Sequence, residues 1–489
     1  MNKQFIKLTL GLFCVFLSTT NGLAIEPTTP IDQFSKDNFF PKDLWGKKLS
    51  DEEVYKYSDN PIENTSDLFP NEIVIYHTSK GEKYFAQIVE SKNDKISFIR
   101  YNPELKKFSS YELNCTQENA STNKIYKLSS FWRLTWQPSI PWNIFDNTIT
   151  YFLNLPEYHS NTGQFGKSLV VPSNSNVIIM GDLHGDFLSL QKTLYSLNQT
   201  SIINKYGILA DGCHMIFTGD IADRGYYGVE CWYVIMSLAY HNPGRVHIIR
   251  GNHEYDTIAK RYGFNDEFEQ KFGKDQKWQK MLTVWNRLPL LYLIGVKTPG
   301  LNFYDFIMFS HAGFDPHFSV ANLMRAAITH PDGKIITQQI SDSPNYNWSD
   351  LKPSDVPEAT SGIAQRIWQG LRGAGEECIN HAAIHEYFSK IAEELSEEAI
   401  LSSLFRGHEH RAVETNFGKL IDSPTKYWKN LSPGKRYPLS ENYDTYTIIS
   451  APNISTVGAA PYFTYGRLEA AKNGRWYLYP YIEQIINKA

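Results

Sequence analysis

Apolar and polar positions follow two different textures along this chain. Between residues 70 and 137 the apolar runs are short: EIVIYHT, KYFAQIVES, KISFIRYN, SSYELNC and KIYKLSS are rich in Val, Ile, Tyr and Phe, with turn formers between them at 79–81, 92–94 and 102–103. Runs of this kind bounded by turn signals predict strands, and five at this spacing predict a small all-β domain, a barrel of SH3-like shape. After residue 170 the grain becomes α/β. Phe187, Leu190, Leu194 and Leu197 fall on one helical face, as do Ile384, Phe388, Ile391 and Leu395, so helices should cover a sheet.

Within that second region, apolar runs repeatedly end in groups that want water or a cation. NVIIMGDLHGDF runs into Asp182, His184 and Asp186, and HMIFTGDIADRG into Asp220, Asp223 and Arg224. VHIIRGNHE runs into Asn252, His253 and Glu254, DFIMFSHAG ends at His311, and ILSSLFRGHEH ends at His408 and His410. In an α/β sheet, ligands gather outside the carboxyl ends of the strands, where loops converge without disturbing the core. Glycines beside each polar residue let the backbone turn sharply and bring short side chains to a common point. So many carboxylates and imidazoles in one place would repel and desolvate one another unless cations sat among them. A donor set of nitrogen and oxygen without thiolate points to Mn, Fe or Zn and excludes a Cys-type structural zinc. Asp186 reads differently: it precedes the helical period that opens at Phe187 and is expected to be an N-cap.

Composition sets the frame for this site. The 489 residues are 42% hydrophobic and 20% charged, which suits a globular protein of two or three domains. At the N-terminus, Lys3 and Lys7 precede the apolar stretch LTLGLFCVFL and the small residues Gly22 and Ala24, the layout of a secretory signal peptide. Its removal takes the formal charge from −4 to −6, because Lys3 and Lys7 leave and no acid does; nucleic acid is no natural partner for that balance, and no stable membrane insertion is expected after signal removal. Cys115, Cys213, Cys231 and Cys378 then remain, too few for a disulfide framework in a chain this long. Their pairing stays open, and Cys213 is expected to be a small buried hydrophobe. The organisation expected is a signal peptide at 1–24, an extension at 25–69, the small β domain at 70–137, a connector at 138–169 and a catalytic domain at 170–489. The β domain reads either as an accessory that only packs or as a module for a protein partner. Export to a bacterial periplasm or the medium is expected, since the sequons at Asn347 and Asn453 fall inside the motif regions, where a glycan would collide with the catalytic domain.

GDLHG, GDIADRG, GNHE, HAG and RGHE, in this order, resemble the signatures of the serine/threonine phosphoprotein phosphatases, within the calcineurin-like metallophosphoesterases. NWSD at 347–350, LRG at 371–373 and SAPN at 450–453 are weaker matches in the right places. The resemblance covers roughly residues 170–470 and implies an α/β fold, a β-sandwich flanked by helices. It also implies two divalent metal ions, with Mn favoured. Asp182, His184 and a bridging Asp220 would hold the first; Asp220, Asn252, His311 and His408 would hold the second. His253 would be the general acid and Asp223 its orienting partner, while Arg224, Arg372 and Asn252 would bind the substrate phosphate. The activity implied is hydrolysis of phosphomonoesters on Ser or Thr of a phosphoprotein or phosphopeptide, extending to Tyr, by direct attack of a metal-bridging hydroxide. Two alternatives stand beside it: a hydrolase of small phosphate esters or dinucleoside polyphosphates, and a catalytically silent binding protein. The sequence departs from the family pattern at Ala222, Ala312 and Ile454 and in a long polar segment after His408, which leaves substrate choice open. Glu254 and His410 read as supporting residues.

Overall fold

The computed structural model describes residues 48–49, the strands between residues 58 and 128, and residues 140–484 except 160–161, 275–276, 353–366, 370–376, 397, 410–424, 427–433, 440–443, 449 and 451–461. The chain divides into two compact units, Met1–Lys127 and Leu128–Ala489.

The first unit is a single sheet. Its strands are β1 (Ser58–Pro61), β2 (Ile73–His77), β3 (Lys83–Lys92), β4 (Lys95–Asn102), β5 (Lys107–Asn114) and β6 (Lys124–Leu128), in the spatial order β1-β6-β2-β3-β4-β5. β2 to β5 form an antiparallel meander with an irregularity between Ile88 and Glu90, and β6 returns to pair antiparallel with β2. The five strands expected here are present, and a sixth precedes them. Among the described residues no pairing joins β5 to β1.

The second unit opens with the helix Trp142–Leu153, followed by β7 (Phe165–Val171), β8 (Asn176–Met180), β9 (Cys213–Phe217), β10 (Val246–Ile248), β11 (Leu291–Lys297), β12 (Tyr304–Ser310) and β13 (Ile336–Gln339). Short β14 (Leu351–Lys352), β15 (Ile367–Gln369) and β16 (Glu377–Asn380) form a small sheet of their own. Then come β17 (Ala399–Arg406), β18 (Thr425–Lys426), β19 (Tyr437–Pro438), β20 (Asp444–Thr447), β21 (Tyr462–Ala470) and β22 (Trp476–Gln484). The two large sheets run β10-β9-β8-β21-β22-β19 and β13-β7-β11-β12-β17-β20-β18.

These sheets face each other as a sandwich. Val177 and Ile179 of β8, Ile216 of β9 and Trp476 of β22 share one core with Ile294 of β11, Phe309 of β12 and Phe405 of β17. The outer face of the second sheet, with Leu293, Phe306 and Met308, packs on Ile384, Phe388 and Ile391 of the helix His381–Glu394. The helix Phe187–Gln199 likewise buries Phe187, Leu190, Leu194 and Leu197, so both stripes read from the sequence point inward. Because both faces of the strands are covered, β7, β9 and β12 are buried along their whole length, as expected for strands under helices. Among the described residues no helix is long and apolar enough to cross a membrane. Cys213 and Cys231 are buried free thiols.

The architecture positions the polar motifs. β8, β9 and β10 run parallel in one sheet, β12 and β17 run parallel in the other, and all five end in the loops that carry the motifs.

Candidate active site

Three of the five motif loops, those after β8, β9 and β17, are built by backbone that most residues avoid. Eight non-glycine residues among those described adopt a left-handed φ, and five of them are His184 (47°), Asp220 (51°), Asp223 (72°), Arg224 (66°) and His408 (72°). Left-handed backbone costs a side-chain-bearing residue about 1–3 kcal/mol, least for Asp, Asn and His. Its concentration here marks loops bent to aim side chains, with the cost met by the core that holds the strand ends. Two close approaches require glycine. A Cβ on Gly407 would lie 1.9 Å from Asp182 Oδ1, and one on Gly219 would lie 2.5 Å from the Gly251 nitrogen.

The loops bring together every expected ligand. Asp182, His184, Asp220, Asn252, His311 and His408 are all buried. Asp220 is the hub: its Oδ2 lies 3.3 Å from His311 Nε2, 3.7 Å from His184 Nε2 and 3.9 Å from His253 Nε2. On one side, His184 Nδ1 is hydrogen-bonded to the Ala222 carbonyl at 3.1 Å, and its Nε2 lies 3.9 Å from Asp182 Oδ2. The distances from His184 Nε2 to Asp182 and Asp220, 3.9 and 3.7 Å, are too long for hydrogen bonds but suit donors that share an ion at about 2.1 Å. On the other side, His311 Nδ1 is bonded to the Thr218 carbonyl at 2.9 Å, and its Nε2 meets Asn252 Oδ1 at 2.8 Å and His408 Nδ1 at 3.2 Å. Asn252 Oδ1 also stands 3.0 Å from His408 Nδ1. The His408 backbone N–H donates to both Asp182 oxygens at 3.0 Å, tying the two sides together.

That donor set fits metal ions. The carbonyls fix the tautomers of His184 and His311, leaving Nε2 lone pairs turned inward. Around His311 Nε2, a carboxylate, an amide oxygen and a second imidazole converge, and only a positive charge at the centre reconciles them. The electrostatics register the same demand: burial opposes the charge on His311, yet Asp220, Asp182 and Glu254 push it up to about 9. Burial works to raise Asp220, but His311, His253 and His184 hold its carboxyl well below the ordinary range. Two trios have ligand atoms within 4.8 Å of one another: Asp220, His311 and His408, and also His184, Asp220 and His253.

His253 stands in the second trio by proximity, but its own bonds point elsewhere. Its Nδ1 is 2.7 Å from Asp223 Oδ2, and its Nε2 is 3.4 Å from the Arg224 guanidinium. Asp223 is fixed in turn by the Phe264 N–H at 2.9 Å, and burial above all raises its carboxyl. The His253 backbone N–H donates to Asp220 Oδ1 at 2.9 Å. Arg224 is half-buried, with Tyr262 beneath its guanidinium at 5.7 Å. Arg372 and His410 lie outside the described residues, as do Asn453 and Ile454.

Several supporting residues were not singled out by sequence reasoning. Trp348 packs edge-on against His408, and Asp350 Oδ1 is 3.9 Å from His408 Nε2; the NWSD match was the signal that could have found them. Asn347, buried to 2%, donates to the Tyr255 hydroxyl at 3.1 Å, a position with no room for a glycan. Ser450 of SAPN accepts from the Gly181 N–H at 3.0 Å and holds the first motif loop. Asp186 accepts from the Ser189 backbone and hydroxyl, the N-cap expected of it. Ala312 keeps an ordinary negative φ, so the departure from glycine there costs nothing.

Residues 175–412 match the family model of the calcineurin-like phosphoesterases. The serine/threonine-protein phosphatase 6 catalytic subunit of Drosophila melanogaster is 29% identical over 156 residues, 32% of this chain and 45% of that protein. The serine/threonine-protein phosphatase PP1-1 of Saccharomyces cerevisiae is 30% identical over 159 residues, again 32% of this chain and 45% of the relative. The chain thus spans about half the length of these relatives. A solved serine/threonine phosphatase from Saccharomyces cerevisiae with similarity to human phosphatase PP5 aligns over 71% of this chain and 90% of its own, at 18% identity and a TM-score of 0.43.

Proposed function

We propose, from the match of residues 175–412 to the calcineurin-like phosphoesterase family model, that the chain is a dinuclear-metal phosphatase that removes phosphate from Ser or Thr of phosphorylated proteins, with Tyr as a secondary target. The observation that carries this reading is the hub at Asp220, one carboxylate oxygen shared by imidazoles on both sides. Asp182, His184 and Asp220 would hold one divalent ion; Asp220, Asn252, His311 and His408 the other. Such a pair supplies an activated water at neutral pH and Lewis acidity at the phosphoryl oxygens.

The chain's own residues do the rest. Arg224, beside His253, neutralises charge on the equatorial oxygens of the phosphoryl group. The leaving oxygen needs a proton, which His253 donates from Nε2. Asp223 on Nδ1 fixes the orientation of the ring, which leaves Nε2 as the atom that serves the leaving oxygen. The burial of His253, Asp223 and the ligand residues keeps bulk water away from their charges. The segment with Lys3 and Lys7 ahead of LTLGLFCVFL supports export of this enzyme.

The test is to strip the protein of metal and restore Mn, Fe or Zn in turn, with an aryl phosphate, phosphopeptides and nucleotides as substrates. The reading expects hydrolysis of the aryl phosphate and of phosphoserine or phosphothreonine peptides, regained with metal. A clear preference for nucleotides refutes the protein-phosphatase assignment. No turnover with any ion refutes the phosphatase itself.

A further inference from the structure

Glu254 follows His253 directly, and its carboxylate binds the backbone of the motif loops. It accepts three backbone N–H groups: Asp220 and Gly251 at 2.8 Å through Oε2, and Ile221 at 2.9 Å through Oε1. Both Glu254 and Asp220 are buried, so none of these N–H groups has water as an alternative partner. The loop after β9 and the loop after β10 therefore meet on one side chain. They can meet because Gly219 and Gly251 carry no Cβ; a Cβ on Gly251 would lie 2.3 Å from Asp220 Oδ1 and 2.7 Å from Glu254 Oε2.

The consequence falls on Asp220. Its backbone is held at φ 51°, a conformation an aspartate adopts only at a cost and leaves if released. That conformation directs Oδ1 to the His253 N–H and Oδ2 to the three imidazoles. We infer that Glu254 is the positioning residue that holds Asp220 in bridging geometry, by fastening the Asp220–Ile221 backbone to the β10 loop with both carboxylate oxygens. This inference rests on the two-metal reading above and specifies what keeps the shared ligand in place. An acceptor of two N–H groups on one oxygen and one on the other must be a carboxylate: in Glu254→Gln the amide either turns its own N–H groups against the Asp220 and Gly251 donors or against Ile221. Gln is thus as disruptive here as Ala, although it matches Glu in size.

A control comes from the same chain. Glu267, also buried, accepts the Gly228 and Val229 N–H groups at 3.0 and 2.9 Å, holding a helix N-terminus rather than a ligand loop. The experiment measures Mn²⁺ stoichiometry and affinity by titration of the metal-stripped full chain, with thermal stability alongside, for wild type, Glu254→Gln, Glu254→Asp and Glu267→Gln. Wild type is expected to bind two ions and Glu254→Gln to bind them about 10- to 100-fold more weakly, the scale on which partners of metal ligands act. Glu254→Asp, whose shorter carboxylate keeps the charge and reaches fewer donors, is expected to fall between. Glu267→Gln is expected to lose thermal stability while keeping both affinities. Should Glu254→Gln not fold, Glu254→Asp carries the same comparison. A folded Glu254 variant with both affinities within threefold of wild type overturns the inference alone, as does an equal loss in Glu267→Gln. A wild-type chain that takes up no ion overturns the two-metal reading and this inference with it.

Discussion

Replacing Gly407 with alanine should disable half of the proposed metal site without replacing a ligand. The added Cβ would stand 1.9 Å from Asp182 Oδ1, with Asp182 Cγ and Thr218 Oγ1 both at 3.1 Å. Real carbon–oxygen contacts stay beyond 3.0 Å, so the carboxylate must withdraw by about 1 Å, a displacement that can cost on the order of 10² in rate when it misplaces reacting groups. Asp182 has little room to give: it is buried, and both its oxygens accept the His408 N–H at 3.0 Å. The Gly407 backbone is tied as well, its N–H donating to the His311 carbonyl at 3.0 Å. Its φ lies outside the left-handed region, so alanine adds a steric clash and no backbone strain. Gly407→Ala should therefore weaken the ion expected between Asp182 and His184, leave the ion beside His311 and Asn252 in place, and lower kcat roughly 10²-fold. Metal content at graded free Mn²⁺, measured with turnover of an aryl phosphate, reads both effects. Gly300→Ala serves as the comparison, since Gly300 has φ 78° and nothing within 4 Å; it should cost about 1–2 kcal/mol of stability and no metal. Two ions bound with wild-type affinity and a kcat within threefold in Gly407→Ala would refute the reasoning.

Three further outcomes are expected. His253→Asn should keep both metal ions while turnover falls by about 10²–10⁴, the range for a lost general acid; metal analysis showing an ion gone would instead make His253 a ligand. Asp186→Ala removes the cap on Phe187–Gln199 and should lower unfolding free energy by about 1 kcal/mol with metal affinity unchanged; a loss of metal would contradict the capping role. The buried pair His214 and His247, whose rings meet at 3.2 Å, should make the fold acid-sensitive. Burial, then Arg245, lowers His214 from 6.5 to about 4, and burial with His214 and Lys167 lowers His247 well below its ordinary value. Between those limits the unfolded chain binds more protons than the native one, so stability falls as pH drops from 6.5 towards 4, by on the order of 3 kcal/mol for His214. Urea unfolding at pH 7 and pH 4.5 should show this slope flattened in His214→Leu; identical slopes in variant and wild type would remove the pair from the account.

The site was legible in the sequence to the extent that its chemistry is local. Asp182, His184, Asp220, Asn252, His311 and His408 each follow an apolar run, and the end of a strand is where a sheet delivers a ligand. The helical stripes of Phe187–Leu197 and Ile384–Leu395 were equally plain, because a period of 3.6 is written in adjacent residues. What the sequence hid depends on which loops become neighbours. That Glu254 fastens the Asp220 backbone follows from β9 lying beside β10 in the sheet order, and that Gly407 must lack a Cβ follows from β17 and β8 ending at one rim from opposite sheets. The pairing of His214 with His247 is hidden for the same reason: residues 33 apart in the chain occupy neighbouring strands. In the first unit the runs of Val, Ile, Tyr and Phe between turn formers located five strands, and β1 upstream of residue 70 was too short to register.

The central claim is that one carboxylate is shared by two ions, and anomalous scattering from crystals of the full chain grown with Mn²⁺ tests it most directly. Two peaks about 4 Å apart are predicted, one within ligand distance of Asp182, His184 and Asp220, the other of Asp220, Asn252, His311 and His408. A single peak, or two peaks of which only one touches Asp220, would contradict it.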